Sequence, residues 1–109
     1  MDLQIELKNG VMTALLFGEL DHHTVSRIRQ EIDSAALKVK PRILRLDFSN
    51  VPFMDSSGIG LILGRVRMTA VWSGKVALCG LSPQLKRMAE LSGVARLAIF
   101  EKGVKEVGV

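Results

Sequence analysis

The chain has 109 residues and a formal net charge of +4. No apolar run approaches the roughly 20 residues of a membrane-crossing helix, Met1-Asp2 opens without the basic and apolar regions of a secretory signal, and the single Cys79 cannot close an internal disulfide, so a soluble, cytoplasmic protein folded as one domain (1–109) is expected. Residues 1–37 carry net −3 and residues 38–109 net +7, but the basic side chains are scattered with few aromatics between them, so neither a nucleic acid nor a membrane is expected as a direct partner.

Leu3–Leu7 and Val11–Phe17 are short apolar-rich segments separated by Lys8-Asn9-Gly10. Asn-Gly between such runs predicts a β-hairpin, because both central residues of a type I′ turn need positive φ. From Thr24 the period lengthens: Val25, Ile28, Ile32, Ala35 and Ala36 recur at three- and four-residue steps among charged residues, which predicts an amphipathic helix. Pro41 ends the segment that follows, and Ile43–Phe48 reads as a strand with Leu44, Leu46 and Phe48 on one face.

Beyond the expected turn Ser49-Asn50-Val51-Pro52, a second helix begins near Ser57, with Ile59, Ile62, Leu63, Val66 and Ala70 as its apolar stripe. Val76–Cys79 reads as a buried strand, which makes the Cys79 thiol a packing group. Ser82-Pro83 is a helix start, Leu85, Met88 and Ala89 form that helix's stripe, and Gly93 fits the position just past its end. Arg96–Phe100 is the last expected strand, with room for only a stub of helix after it. Strands alternating with single helices predict an α/β fold: a mostly parallel, mixed sheet with an N-terminal hairpin and helices packed against it.

Chemistry is expected where a strand hands over to a helix, at Phe53-Met54-Asp55-Ser56-Ser57-Gly58-Ile59-Gly60. The first N–H groups of a helix are unpaired and its dipole is positive there, so an anion, including a phosphate on Ser57, is held with little strain. A plainer role, Ser56 or Ser57 capping the helix, is compatible with modification. Gly58 and Gly60 would let another protein's surface come close to the hydroxyl.

Enzymatic readings fail on spacing. Leu63 stands where a third glycine of G-x-G-x-x-G belongs, no phosphate-cradling G-K-S/T occurs, and Met54 replaces the first glycine of a nucleophile elbow. His22-His23 lack nearby companions for a metal and read as polar residues of the loop entering the first helix. Glycine 18 to Asp21 should emerge at the same sheet edge as Ser57, since both loops follow parallel strands. Asp21 reads as an exposed carboxylate whose replacement leaves stability nearly unchanged.

With Gly18-Glu19-Leu20-Asp21-His22-His23-Thr24, the segment from Phe53 to Arg65, the Lys8-Asn9-Gly10 hairpin and the Leu81-Ser82-Pro83 helix start, the sequence closely resembles the anti-sigma factor antagonists of spore-forming bacteria, in particular the sporulation-specific kind, whose domain type is called STAS. The resemblance implies a STAS-type sandwich without cofactor or catalysis. It also implies a partner switch: the unphosphorylated antagonist binds a dimeric, ATP- or ADP-bound anti-sigma factor that is also a serine kinase, and thereby releases the sigma factor. The kinase then phosphorylates the antagonist, which dissociates, and a serine phosphatase resets it. By the same resemblance Ser57 is the phosphorylated residue, and Asp21, His22, His23, Asp55, Ser56, Gly58, Ile59 and Gly60 form the partner surface. An antagonist of a general stress sigma factor and a nucleotide-binding STAS domain are the alternatives. The chain departs from the family in its short segment after the last strand and in its basic balance.

Overall fold

The computed structural model describes residues 2–101. Their elements run β1 (Leu3–Lys8), β2 (Val11–Phe17), α1 (His22–Val39), β3 (Ile43–Asn50), α2 (Ser56–Ala70), β4 (Lys75–Cys79), α3 (Pro83–Ser92), a 3-10 turn (Val94–Arg96) and β5 (Ile99–Phe100). The hairpin forms as expected: Asn9 and Gly10 take φ of 52° and 77°, and β1 pairs antiparallel with β2 from Leu3↔Leu16 to Lys8↔Val11. The remaining pairs are parallel, giving one mixed sheet in the order β1-β2-β3-β4-β5.

Each parallel neighbour is reached through one helix, and three right-handed crossovers stepping the same way lay all three helices on one face. The strands record this by alternation. Met12, Ala14 and Leu16 of β2 and Leu44, Leu46 and Phe48 of β3 are buried beneath the helices, while Thr13 and Arg45 belong to the opposite face. There Arg45 bonds to Glu101 at 2.6 Å and to Thr13 at 3.0 Å. Ile28, Ile32 and Ala36 of α1 and Leu85 and Ala89 of α3 complete the core. Each fully buried leucine, isoleucine or phenylalanine contributes about 1.5–3 kcal/mol. Cys79 lies in this sheet as a packing group; burial, followed by the nearby Asp47 charge, pushes its thiol up to about 12, so it stays protonated at neutral pH.

Three expectations need correction. The buried face of α2 is Gly58, Leu61, Ile62, Arg65 and Thr69, rotated from the stripe read off the sequence, and Ala70 is exposed. This helix packs against the sheet, α1 and α3 together, so apolar residues around most of its girth are partly covered and the period alone does not select one face. Arg96–Phe100 is not one strand: Gly93 takes φ 87°, turns the chain and feeds Val94 into the core as a 3-10 turn, which leaves Ile99–Phe100 to pair with Ala77 and Leu78. Finally, α1 begins at His22, two residues before Thr24, so the two histidines are helical. The stub of helix expected after Glu101 lies outside the described residues.

Candidate functional site

The loops after β2 and β3 meet at the sheet edge where α1 and α2 begin. Leu20 and Met54 form a parallel bridge beyond the strands, with Leu20 N–H donating to Phe53 O at 3.0 Å and Asp55 N–H to Leu20 O at 3.1 Å. Leu20 and Met54 are themselves buried, at 0% and 1% exposure, so this seam is anchored in the core. The two helix N-termini are thereby held side by side.

Each terminus is capped by an aspartate. Asp21 Oδ1 accepts from the N–H groups of His23 and Thr24, both at 3.0 Å, while the Thr24 hydroxyl accepts from Asp21 N–H at 3.0 Å, a complete capping box. The Thr24 N–H bond, partly opposed by desolvation and aided by the His23 N–H, the Thr24 hydroxyl and the His23 charge, holds the Asp21 carboxyl below its ordinary value. Asp21 is therefore a structural cap as well as a surface group, and the expectation that its loss leaves stability unchanged is corrected. At α2, Asp55 Oδ1 accepts from Ser57 N–H at 2.8 Å. Neither serine is the cap. The Ser57 side chain keeps its hydroxyl without a hydrogen-bond partner among the described residues.

Between the helices runs an open groove of about 290 Å³, lined by His22, Val25, Ser26 and Arg29 from α1 and by Ser57, Gly60 and Leu61 from α2. The α1 residues are spaced as one helical face, and on α2 the one-turn step from Ser57 reaches Gly60 and Leu61. Ser57 is half-buried in this groove, whereas Ser56 is exposed outside it. His23 is exposed and lies off the groove, and its ring stands edge to face with that of His22 at 5.7 Å between centroids.

The two glycines near Ser57 differ. A Cβ on Gly58 would lie 2.6 Å from Met54 Sδ and 3.0 Å from Met54 Cβ, so Gly58 serves internal packing of the bridge rather than access to the hydroxyl. Gly60 is exposed and a Cβ there meets nothing within 4 Å, so it is the glycine that opens the groove. Ile59 is half-buried against the core.

Arg29 and Arg65 were not among the site residues read from sequence. Arg65 is 6% exposed in the seam between α1 and α2, with Nε 3.0 Å from Asp33 Oδ1. That approach is not aligned for a hydrogen bond, which leaves Arg65 Nε and Nη1 and Asp33 Oδ1 without hydrogen-bond partners among the described residues. Burial lowers the Arg65 affinity for its proton, Asp33 restores part of it and the positive Arg29 lowers it again, so the three groups form one electrostatic cluster. Only the facing of two helices creates this cluster; the sole signal in the sequence is that His22, Val25, Ser26 and Arg29 share a helical face.

Comparison with known proteins agrees with the fold. The STAS domain profile matches residues 2–107. The anti-sigma F factor antagonist of Paenibacillus polymyxa is 38% identical over 99 residues, covering 89% of this chain and 85% of the relative. That of Lysinibacillus sphaericus is 36% identical over 95 residues, covering 86% and 81%. The solved structure of the Bacillus cell fate determinant SpoIIAA in the phosphorylated form superposes with a TM-score of 0.76 at 33% identity, covering 97% of this chain and 95% of that one. A mixed sheet with its helices on one face, two capped helix starts bridged at one sheet edge, and sequence likeness along nearly all of the chain lead to one assignment: the protein belongs to the STAS domain family.

Proposed function

We propose that the protein is an anti-sigma factor antagonist of the sporulation type, acting in the cytoplasm by binding rather than catalysis, as one STAS domain. In its unphosphorylated form it engages an anti-sigma factor that is also a serine kinase, and so releases the sigma factor. Phosphorylation of Ser57 ends the interaction, and a serine phosphatase restores it. The partner surface comprises the first turns of α1 and α2, with Asp21, His22, His23, Asp55, Ser56, Ile59 and Gly60 around Ser57, and Gly58 supporting it from within.

The observation that carries this reading is the state of Ser57. Its hydroxyl stands at a helix start, in an open groove, and Asp55 already fills the capping role that would otherwise occupy a serine there. A nucleophilic hydroxyl that is ordered by its backbone, yet not engaged, suits a kinase substrate. Likeness to anti-sigma F factor antagonists of two species, and to a protein solved in a phosphorylated form, supports the same conclusion.

The test is incubation with ATP and each candidate anti-sigma kinase of the cell, those of sporulation and of general stress separately, followed by mass spectrometry of the modified peptide. Label should fall on Ser57, vanish in Ser57→Ala and remain measurable in Ser56→Ala. Stoichiometric labelling of Ser57→Ala would falsify the assignment.

A further inference from the structure

We propose that the groove between α1 and α2 is an internal receptor for the phosphate: a phosphoryl group on Ser57 is held by the Arg29 guanidinium across the groove, with the His22 imidazole as a second donor. The proposal deepens the reading of Ser57 as the modified residue and rests on it.

Four observations carry it. Arg29 and His22 line the same groove as Ser57, on the opposite helix. Helical side chains lean toward their own N-terminus, so the guanidinium of Arg29, two turns into α1, is carried back toward the edge where Ser57 sits. Among the described residues no carboxylate pairs with Arg29; the nearby Asp33 is engaged by the buried Arg65, and Arg29 and Arg65 repel one another. Gly60, one turn beyond Ser57, leaves the intervening space open.

The charge balance decides what the groove favours. Asp21 and Asp55 are directed into their own helix N-termini, where backbone N–H groups take up their oxygens. Of the side chains lining the groove, α1 presents the Arg29 guanidinium with His22 and the Ser26 hydroxyl, α2 presents the Ser57 hydroxyl, and Val25 and Leu61 are apolar; no carboxylate is among them. Arg65 lies further along the seam, buried at 6% exposure, with Asp33 beside it and Nη1 lacking a hydrogen-bond partner among the described residues. A phosphate dianion supplies the negative charge this seam lacks, and a guanidinium recognises it in bidentate geometry, which an ammonium cannot reproduce. The phosphorylated protein therefore fills its own groove beside Ser57, and a partner meets an occupied surface as well as a charged one.

The experiment installs phosphoserine at position 57 during translation, so that no kinase is involved, and follows the phosphate resonance by phosphorus NMR as pH is varied. The second ionisation of an exposed phosphoserine lies near pH ~6. Arg29→Gln should raise this midpoint by roughly half a unit relative to the unsubstituted protein, and Arg29→Lys should recover part of the difference. Arg27→Gln, the same charge change on a neighbouring residue that pairs with Asp2 away from the groove, should leave it in place. Equal midpoints for Arg29→Gln and Arg27→Gln overturn the proposal, whether both shift or neither does. Failure of kinase labelling at Ser57 leaves this measurement intact and counts against the parent reading alone; an unmoved midpoint leaves the labelling result intact.

Discussion

The starts of α1 and α2 lie side by side, follow parallel strands and are both capped by an aspartate, yet they serve opposite ends. At α1 the cap is closed: Asp21 holds two backbone donors and Thr24 answers with its own side chain, so the hydroxyl available there is committed to the fold. At α2 the cap is minimal, a single bond from Ser57 N–H to Asp55, and the serine hydroxyl is left over. With the same aspartate at both caps, the position of the hydroxyl makes the difference: Thr24 stands third in its helix and reaches back to Asp21 N–H, which completes the capping box. Ser57 stands second, where its backbone N–H meets the cap and its hydroxyl is left free among the described residues.

The largest effect expected from this difference is at α2. A phosphate adds about −1.5 to −2 charges at a helix start that tolerates anions, so the isolated fold should persist. One guanidinium offsets only part of a dianion, and the charge left over, buried against a partner, costs up to about 3–5 kcal/mol, which is a roughly hundred- to several-thousand-fold loss of affinity. Titration of phosphorylated and unmodified protein against the ADP-bound kinase measures the loss, and amide spectra should change only around the first turns of α1 and α2. Shifts spread through the whole sheet, or equal affinities, would break the contrast between a chemical and a structural terminus. Ser57→Asp should weaken binding in the same direction but less, having a single charge and a shorter reach.

Next in size is the pair of glycines that flank the free hydroxyl's turn. Gly58→Ala forces a Cβ against the buried Met54 and should cost about 1–3 kcal/mol in chemical denaturation. Gly60→Ala meets open space on a helix and should gain about 0.5–1 kcal/mol, while narrowing the groove and weakening partner binding. Stability and binding should therefore move in opposite directions at Gly60 and together at Gly58.

The closed cap is tested at α1. Asp21→Ala should lower Tm by roughly 5 °C, and Asp21→Asn, which can still accept the same N–H bonds, by much less. Because the folded carboxyl titrates below its unfolded value, its contribution is present above the ordinary carboxylate range and is lost as pH falls through the lower, folded value. Tm measured from about pH 5 down to about pH 3 should accordingly fall more steeply for the unsubstituted protein than for Asp21→Asn. The smallest effect belongs to Ser56→Ala, outside the groove, which should change stability by less than about 0.5 kcal/mol. A larger loss would mean that Ser56, not Asp55, caps α2.

The pattern of residues determined much of this protein by itself. The Asn9-Gly10 hairpin, the apolar alternation of β2 and β3, the α1 stripe and the proline start and glycine end of α3 are each decided by backbone preferences or periodicity within a few residues, and those forces act the same way in any surroundings. The segment Asp55 to Gly60 was legible for the same reason, as a hydroxyl at a strand-to-helix junction. Tertiary structure decided which groups that hydroxyl meets. The inward face of α2, the burial of Arg65, the division of labour between Gly58 and Gly60 and the placing of Arg29 across from Ser57 all depend on how α2 is wedged between α1, α3 and the sheet. A helix that is apolar around most of its circumference leaves its rotation undetermined in sequence, and only the close packing of its neighbours selects it.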